Sequence, residues 1–125
     1  FQHRRVKPTF SLLLTAYDHL YAKDWYLPTG NLRDAKKEAK RADLIIVTKC
    51  PEGLTDVDRG RVVATLKPLP HQKILFASLR YNEDVRDGKG KNMPLSSLKD
   101  KDVALVTGIA SPEPLLRHLI AEGIK

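Results

Sequence analysis

Leu44-Ile45-Ile46-Val47-Thr48 is a short, almost continuous apolar run rich in β-branched residues, the pattern of a strand buried on both faces. Three further runs of this kind flank it: Phe10 to Ala16, Ile74 to Leu79 and Val103 to Thr107. Between the first two lies Leu32 to Ala42, in which Leu32, Ala35, Ala39 and Ala42 fall at helical spacing while Lys36, Lys37, Lys40 and Arg41 turn mostly away. That spacing predicts an amphipathic helix with a thin face suited to a sheet. A second helix is predicted from Thr55, because Thr55 and Asp58 have capping-box spacing, with Val57, Val62 and Leu66 inward and an end before Pro68. Ser111-Pro112-Glu113 opens a third, with Ser111 as N-cap, Leu115, Leu116, Leu119 and Ile120 as its buried face, and Gly123 ending it.

Strand, helix, strand, helix, strand is the order of an α/β fold, a mostly parallel sheet joined by right-handed crossovers and flanked by helices. The segment Arg80 to Lys101 breaks the rhythm. Its Asp87-Gly88-Lys89-Gly90-Lys91 is polar and turn-rich, which predicts a mobile surface excursion or short hairpin.

At 125 residues the chain fits a single α/β domain over 1–125. Hydrophobic residues at 42% and charged residues at 30% match a folded globular protein rather than a disordered one. The apolar runs fall far short of the roughly 20 residues a membrane-spanning helix needs. The single cysteine, Cys50, excludes an intrachain disulfide and a four-cysteine zinc site, and fits a reducing compartment. The formal charge is +7, and the excess lies early: residues 1–49 hold ten Lys or Arg against five Asp or Glu. A basic face favours polyanions without choosing among phosphates, acidic lipid head groups and nucleic acid. The aromatics do not alternate along a strand as a base-stacking platform requires, which makes nucleic acid the weaker partner. A basic nucleic-acid-binding module and a non-enzymatic α/β interaction domain remain the alternatives to an enzyme.

The sequence contains neither a Gly-x-x-x-x-Gly-Lys-Ser/Thr phosphate loop nor a Gly-x-Gly-x-x-Gly fingerprint. His3, His19, His71 and His118 are scattered without a metal-binding doublet. Asp18 follows the first strand, at the sheet edge where ligands bind in open α/β folds, and fits a base, a metal ligand or a turn cap. Ser111, before a helix N-terminus, is a candidate anion contact or an ordinary cap. In Trp25-Tyr26-Leu27-Pro28-Thr29-Gly30-Asn31-Leu32-Arg33-Asp34 a turn delivers Arg33, whose guanidinium can hold a phosphate through two parallel hydrogen bonds or pair with Asp34.

Several of these strings, in order, resemble the tetraacyldisaccharide 4′-kinase family. Phe1-Gln2-His3-Arg4-Arg5 resembles the end of its Asp-Asp-Gly-Phe-Gln-His signature, and Leu27 to Asp34 is similar to its Leu-Pro-Ala-Gly-Pro-Leu-Arg-Glu motif. Arg41-Ala42-Asp43, the apolar run after it and Thr48-Lys49 resemble the next segment, and Val106 to Pro112 the Ala-Gly-Ile-Gly-x-Pro turn. Thr29, Asn31 and Asp34 depart from the motif, and Lys23-Asp24-Trp25 replaces a Gly-Asn-Gly run.

The resemblance implies a Rossmann-like part of a P-loop kinase fold, in a peripheral enzyme of the cytoplasmic face of the bacterial inner membrane. It implies transfer of the ATP γ-phosphate, with Mg2+, to the 4′-hydroxyl of a tetraacyldisaccharide 1-phosphate, an anionic glycolipid. It also implies that this chain is the C-terminal part, lacking the ATP-binding phosphate loop, the acidic residues before Phe1 and a later Asp-His motif. The fragment is then expected to bind neither ATP nor Mg2+ and to be inactive alone. Arg33, Gln2 and His3 are the implied substrate-side residues, Arg4 and Arg5 further anion contacts, and self-association through the severed face is expected.

Overall fold

The computed structural model describes residues 7–125. The chain divides into two compact units, Phe1–Leu79 and Arg80–Lys125.

In the first unit the strands β1 (Leu12–Ala16), β2 (Leu44–Cys50) and β3 (Lys73–Ser78) form a parallel sheet in the order β1-β2-β3. The registers Leu13↔Ile45, Thr15↔Val47, Ile45↔Ile74 and Val47↔Phe76 put these side chains on one face. This is the mostly parallel, helix-flanked α/β fold expected from the sequence, consistent with a Rossmann-like kinase domain. Ile45 and Val47 are fully buried, and Leu20, Val62 and Leu66 pack on them with Leu13, Tyr21, Ile74 and Phe76 around the edge. Both crossovers therefore lie on the same face, as a sheet extended in one direction by connections of one hand requires.

The opposite face corrects the expectation of strands buried on both sides. Leu14 is 62% exposed and Leu75 52% exposed, and they flank Ile46 in register. An apolar run does not distinguish a covered face from one that is only built to be covered.

Between β2 and β3 stands α1 (Asp56–Leu66). Its cap is the predicted one: the Asp58 N–H donates to Thr55 Oγ1 at 3.2 Å and the Thr55 hydroxyl donates to Asp58 Oδ2 at 2.6 Å. Val62 and Leu66, four residues apart, are buried, but Val57 is exposed in the first turn. Thr55→Ala is expected to lower stability by about 1 kcal/mol in urea denaturation at neutral pH. The Thr55 hydroxyl, with its backbone bond and Arg61, holds the Asp58 carboxyl below its ordinary value. Since the folded-state value is the depressed one, this contribution is present above the ordinary carboxylate range and lost as pH falls through the folded value. The penalty of Thr55→Ala is accordingly expected to shrink in acid.

The predicted helix Leu32 to Ala42 is replaced by a shorter 3₁₀ helix, Lys36–Arg41. Leu32 is already committed: its N–H donates to the Trp25 carbonyl at 3.0 Å, and its carbonyl accepts from Leu27 N–H at 3.1 Å. Beyond the helix, the Gln72 side-chain amide donates to the carbonyls of Ala39 at 2.8 Å and Ala42 at 2.7 Å. These bonds serve carbonyls at the C-terminal end of the helix, where the helix itself leaves them without a full set of partners.

In the second unit β4 (Asp84–Arg86) and β5 (Asn92–Pro94) form the antiparallel hairpin expected of the polar excursion. Asp87 closes it, its Oδ1 accepting from Lys89 and Lys91 N–H at 2.9 and 2.8 Å, with Gly90 at φ 81°. A 3₁₀ helix, Leu95–Leu98, follows. The run Val103 to Thr107, expected as a strand, is irregular and exposed. Among the described residues it has no ladder partner, and apolar composition alone does not hold extended backbone in a sheet.

The terminal helix α2 spans Glu113–Ala121. Pro112, at φ −79° and ψ −14°, takes the cap position without a side-chain bond, so Ser111 is not the N-cap that the sequence predicted. The boundary moves by one residue because the Pro112 carbonyl accepts the first helical bond, from Leu116 N–H at 2.9 Å. Gly123, at φ 81°, ends the helix as expected. Its N–H donates to the Ile120 carbonyl and that of Ile124 to Leu119, the paired bonds of a Schellman motif that buries Ile124. Leu115 and Leu119 are half-buried, whereas Leu116 and Ile120, also expected inside, are exposed.

Candidate functional site

The loop before the first 3₁₀ helix is built from its own backbone. Trp25 N–H donates to Asp24 Oδ1 at 2.8 Å, and the N–H groups of Thr29 and Gly30 donate to the Tyr26 carbonyl at 3.1 and 3.0 Å. With the two Leu32 bonds, these close a loop whose exit places Arg33 on the surface. Asp34 caps the next turn, its Oδ1 accepting from Ala35 N–H at 2.8 Å.

Arg33 lines a cleft of about 300 Å³ with Leu13, Tyr21, Asn31, Lys36 and Ala39 among its walls. Three separate segments meet there: β1 supplies Leu13, the turn after β1 supplies Tyr21, and the loop and 3₁₀ helix supply the rest. Lys36 is fixed at both ends, its N–H donating to Tyr26 Oη at 3.2 Å and its ammonium to the Ala22 carbonyl at 2.9 Å. Burial pushes the Tyr21 phenol above its ordinary value, so it stays neutral at physiological pH. The cleft thus combines an exposed guanidinium, a neutral phenol and an apolar floor with two carboxylates, Asp34 and Glu38, in its wall, and the guanidinium is the group in it that can hold an anion through paired hydrogen bonds. Sequence reasoning placed Lys36 on the outward side, because it assumed 3.6 residues per turn; three per turn rotates the side chains. Tyr21 stands in the sequence with Tyr17, Trp25 and Tyr26 as an aromatic cluster that fits either a lipid or sugar platform or the core.

Asp18 and His19 line a different cleft, of about 270 Å³, at the carboxyl end of β1 with Tyr17, Lys23 and Asp24. Buried Thr15 holds this turn, its Oγ1 donating to the His19 carbonyl at 3.3 Å and accepting from Tyr21 N–H at 2.9 Å. Next to it on the sheet edge, Lys49 takes φ 56° where the β2–β3 register shifts. Ser111 is exposed in the second unit. Gln2, His3, Arg4 and Arg5 lie outside the described residues. Among the described residues no group of three or more His, Cys, Asp or Glu is placed to hold a metal ion, and no helix is long and apolar enough to cross a membrane. The sequence contains no phosphate loop, and among the described residues no nucleotide or metal site is resolved.

Parallel strands joined on one face, with a cleft lined by Arg33 beside the first strand, define an α/β domain. The chain belongs to the tetraacyldisaccharide-1-P 4′-kinase family (LpxK), whose model matches residues 1–125. It is 41% identical over 129 residues to a tetraacyldisaccharide 4′-kinase of Bacteroides thetaiotaomicron, covering 95% of this chain and 34% of the relative. A Flavobacterium johnsoniae protein of the same name is 40% identical over 119 residues, with 95% and 35% covered. One from Porphyromonas gingivalis is 34% identical over 119 residues, with 95% and 33% covered. The chain spans about a third of the length of the curated relatives it matches. No solved structure matches it significantly.

Proposed function

We propose that this chain is the C-terminal, acceptor-side part of a kinase that transfers the ATP γ-phosphate to the 4′-hydroxyl of a tetraacyldisaccharide 1-phosphate in lipid A synthesis. The intact polypeptide works as a peripheral protein at the cytoplasmic face of the bacterial inner membrane. ATP and Mg2+ belong to its other part, so the fragment alone is inactive and binds neither. Phosphoryl transfer rests on positioning of nucleotide, metal and acceptor, and this chain contributes the last. Arg33 contacts the anionic head group, Gln2 and His3 complete the edge of the site, and Arg4, Arg5 and Ser111 are further anion contacts. Isolated from its other part, the chain associates with itself through its bare apolar face.

The observation that carries this reading is the exposed Arg33 guanidinium in a cleft, delivered by a closed loop whose sequence resembles the family motif. In the intact enzyme Arg33→Ala is expected to lower kcat/KM by about 10- to 100-fold with folding retained, the effect of losing a charge-assisted pair of hydrogen bonds. Undiminished phosphorylation of the lipid acceptor by a folded Arg33→Ala enzyme would remove Arg33 from the site.

A further inference from the structure

At the crest of the loop stand three consecutive side chains, Trp25, Tyr26 and Leu27, that the fold leaves outside. Trp25 is 72% exposed and Leu27 57% exposed. Their exposure is built in: the Trp25 carbonyl, the Leu27 N–H and both backbone groups of Leu32 are tied in the closed loop, which holds the crest backbone in place. Tyr26 is anchored through its hydroxyl to the first residue of the 3₁₀ helix. A large apolar patch held out by a closed backbone, rather than left out by a loose one, marks an interaction surface.

The surroundings select the partner. Residues 23–41 hold six Lys or Arg against three Asp or Glu, and Lys23, Lys37 and Lys40 are exposed. Asp24 accepts from the Trp25 N–H, and against its carboxylate and those of Asp34 and Glu38 the segment keeps an excess of three cations. Trp and Tyr combine an apolar ring with a polar edge and settle at the boundary between acyl chains and head groups. Lysines beside such a wedge draw it to an anionic leaflet. We infer that the Trp25-Tyr26-Leu27 crest is a wedge that seats this chain in the surface of an anionic lipid bilayer. The choice of a bilayer over another apolar partner rests on the proposed acceptor-side reading, since a tetraacylated substrate is itself held in one.

Trp25 is the only tryptophan, so its fluorescence reports the crest directly. The test titrates the 125-residue chain with vesicles of phosphatidylglycerol and phosphatidylcholine in equal parts, and separately with pure phosphatidylcholine. The expected result is a blue shift on the anionic vesicles alone, reversed by salt, with quenching when the acyl chains carry bromine. Trp25→Ala and Leu27→Ser, both surface changes whose folding circular dichroism checks, are each expected to weaken co-sedimentation with the anionic vesicles about tenfold. No shift, an equal shift on neutral vesicles, or binding without acyl-chain quenching would each overturn the wedge, the last because it leaves only lysines at the phosphates. No ATP or phosphoryl transfer enters this assay, so its failure leaves the Arg33 reading standing, and the failure of Arg33→Ala leaves the wedge standing.

Discussion

Gly30→Ala is expected to lower kcat/KM of the intact enzyme by about 100-fold or more, exceeding the effect of removing the Arg33 guanidinium itself. A Cβ at Gly30 would collide with the Trp25 carbonyl oxygen and sit 2.6 Å from its carbon and 2.7 Å from Asp24 Oδ1. Two of these neighbours are backbone atoms, which cannot swing aside as the end of a flexible side chain can. The loop must therefore open. Opening disrupts the bonds from Gly30 N–H to Tyr26 and from Leu32 N–H to Trp25, each worth about 0.5–1.5 kcal/mol. Arg33 follows one residue after Leu32, so its position moves with them. The sheet does not depend on the loop, and the circular dichroism of the variant is expected to stay native while the Trp25 emission changes. Native activity in Gly30→Ala would mean that the cleft does not depend on the closed loop.

The same loop shows what the sequence could and could not reveal. Arg33 could be singled out as a candidate because a turn motif and a guanidinium stood together, and the structure places it at the wall of a cleft. Its partners in the cleft were not, because Leu13 and Tyr21 come from a strand and a turn that meet the loop only after the sheet has formed. The three strands were legible as continuous apolar runs, and α1 as a capping box followed by Val62 and Leu66. Val103 to Thr107 had the same composition as a strand but, among the described residues, no strand to pair with. Leu32 had the spacing of a helical residue but was already consumed in closing the loop. In the first case a strand needs a pairing partner that a single sequence does not display, and in the second the loop's own hydrogen bonds overrode helical spacing.

Two core substitutions on opposite faces of the sheet are expected to behave differently in the 125-residue chain. Ile45, fully buried in the central strand, has no room to relax around a deletion, and Ile45→Ala is expected to cost about 2–5 kcal/mol. That is a large part of the stability of a small domain, about 5–15 kcal/mol, so the variant should be substantially unfolded or shifted to a much lower urea midpoint. Leu14, on the bare face, is 62% exposed, and Leu14→Ala is expected to change stability by no more than about 0.5 kcal/mol. Parallel sheets are ordinarily covered on both faces, and the chain spans about a third of its relatives' length. The proposal that the rest of the polypeptide packs on this face therefore predicts that Leu14→Ala costs about 2–5 kcal/mol in the intact enzyme, as Ile45→Ala does in the fragment. For the isolated chain the same face predicts concentration-dependent association in sedimentation, abolished by Leu14→Glu, because a carboxylate at the centre of an apolar contact must be desolvated. A monomer at high concentration together with a neutral Leu14→Ala in the intact enzyme would mean that the face meets only solvent, contrary to the proposal.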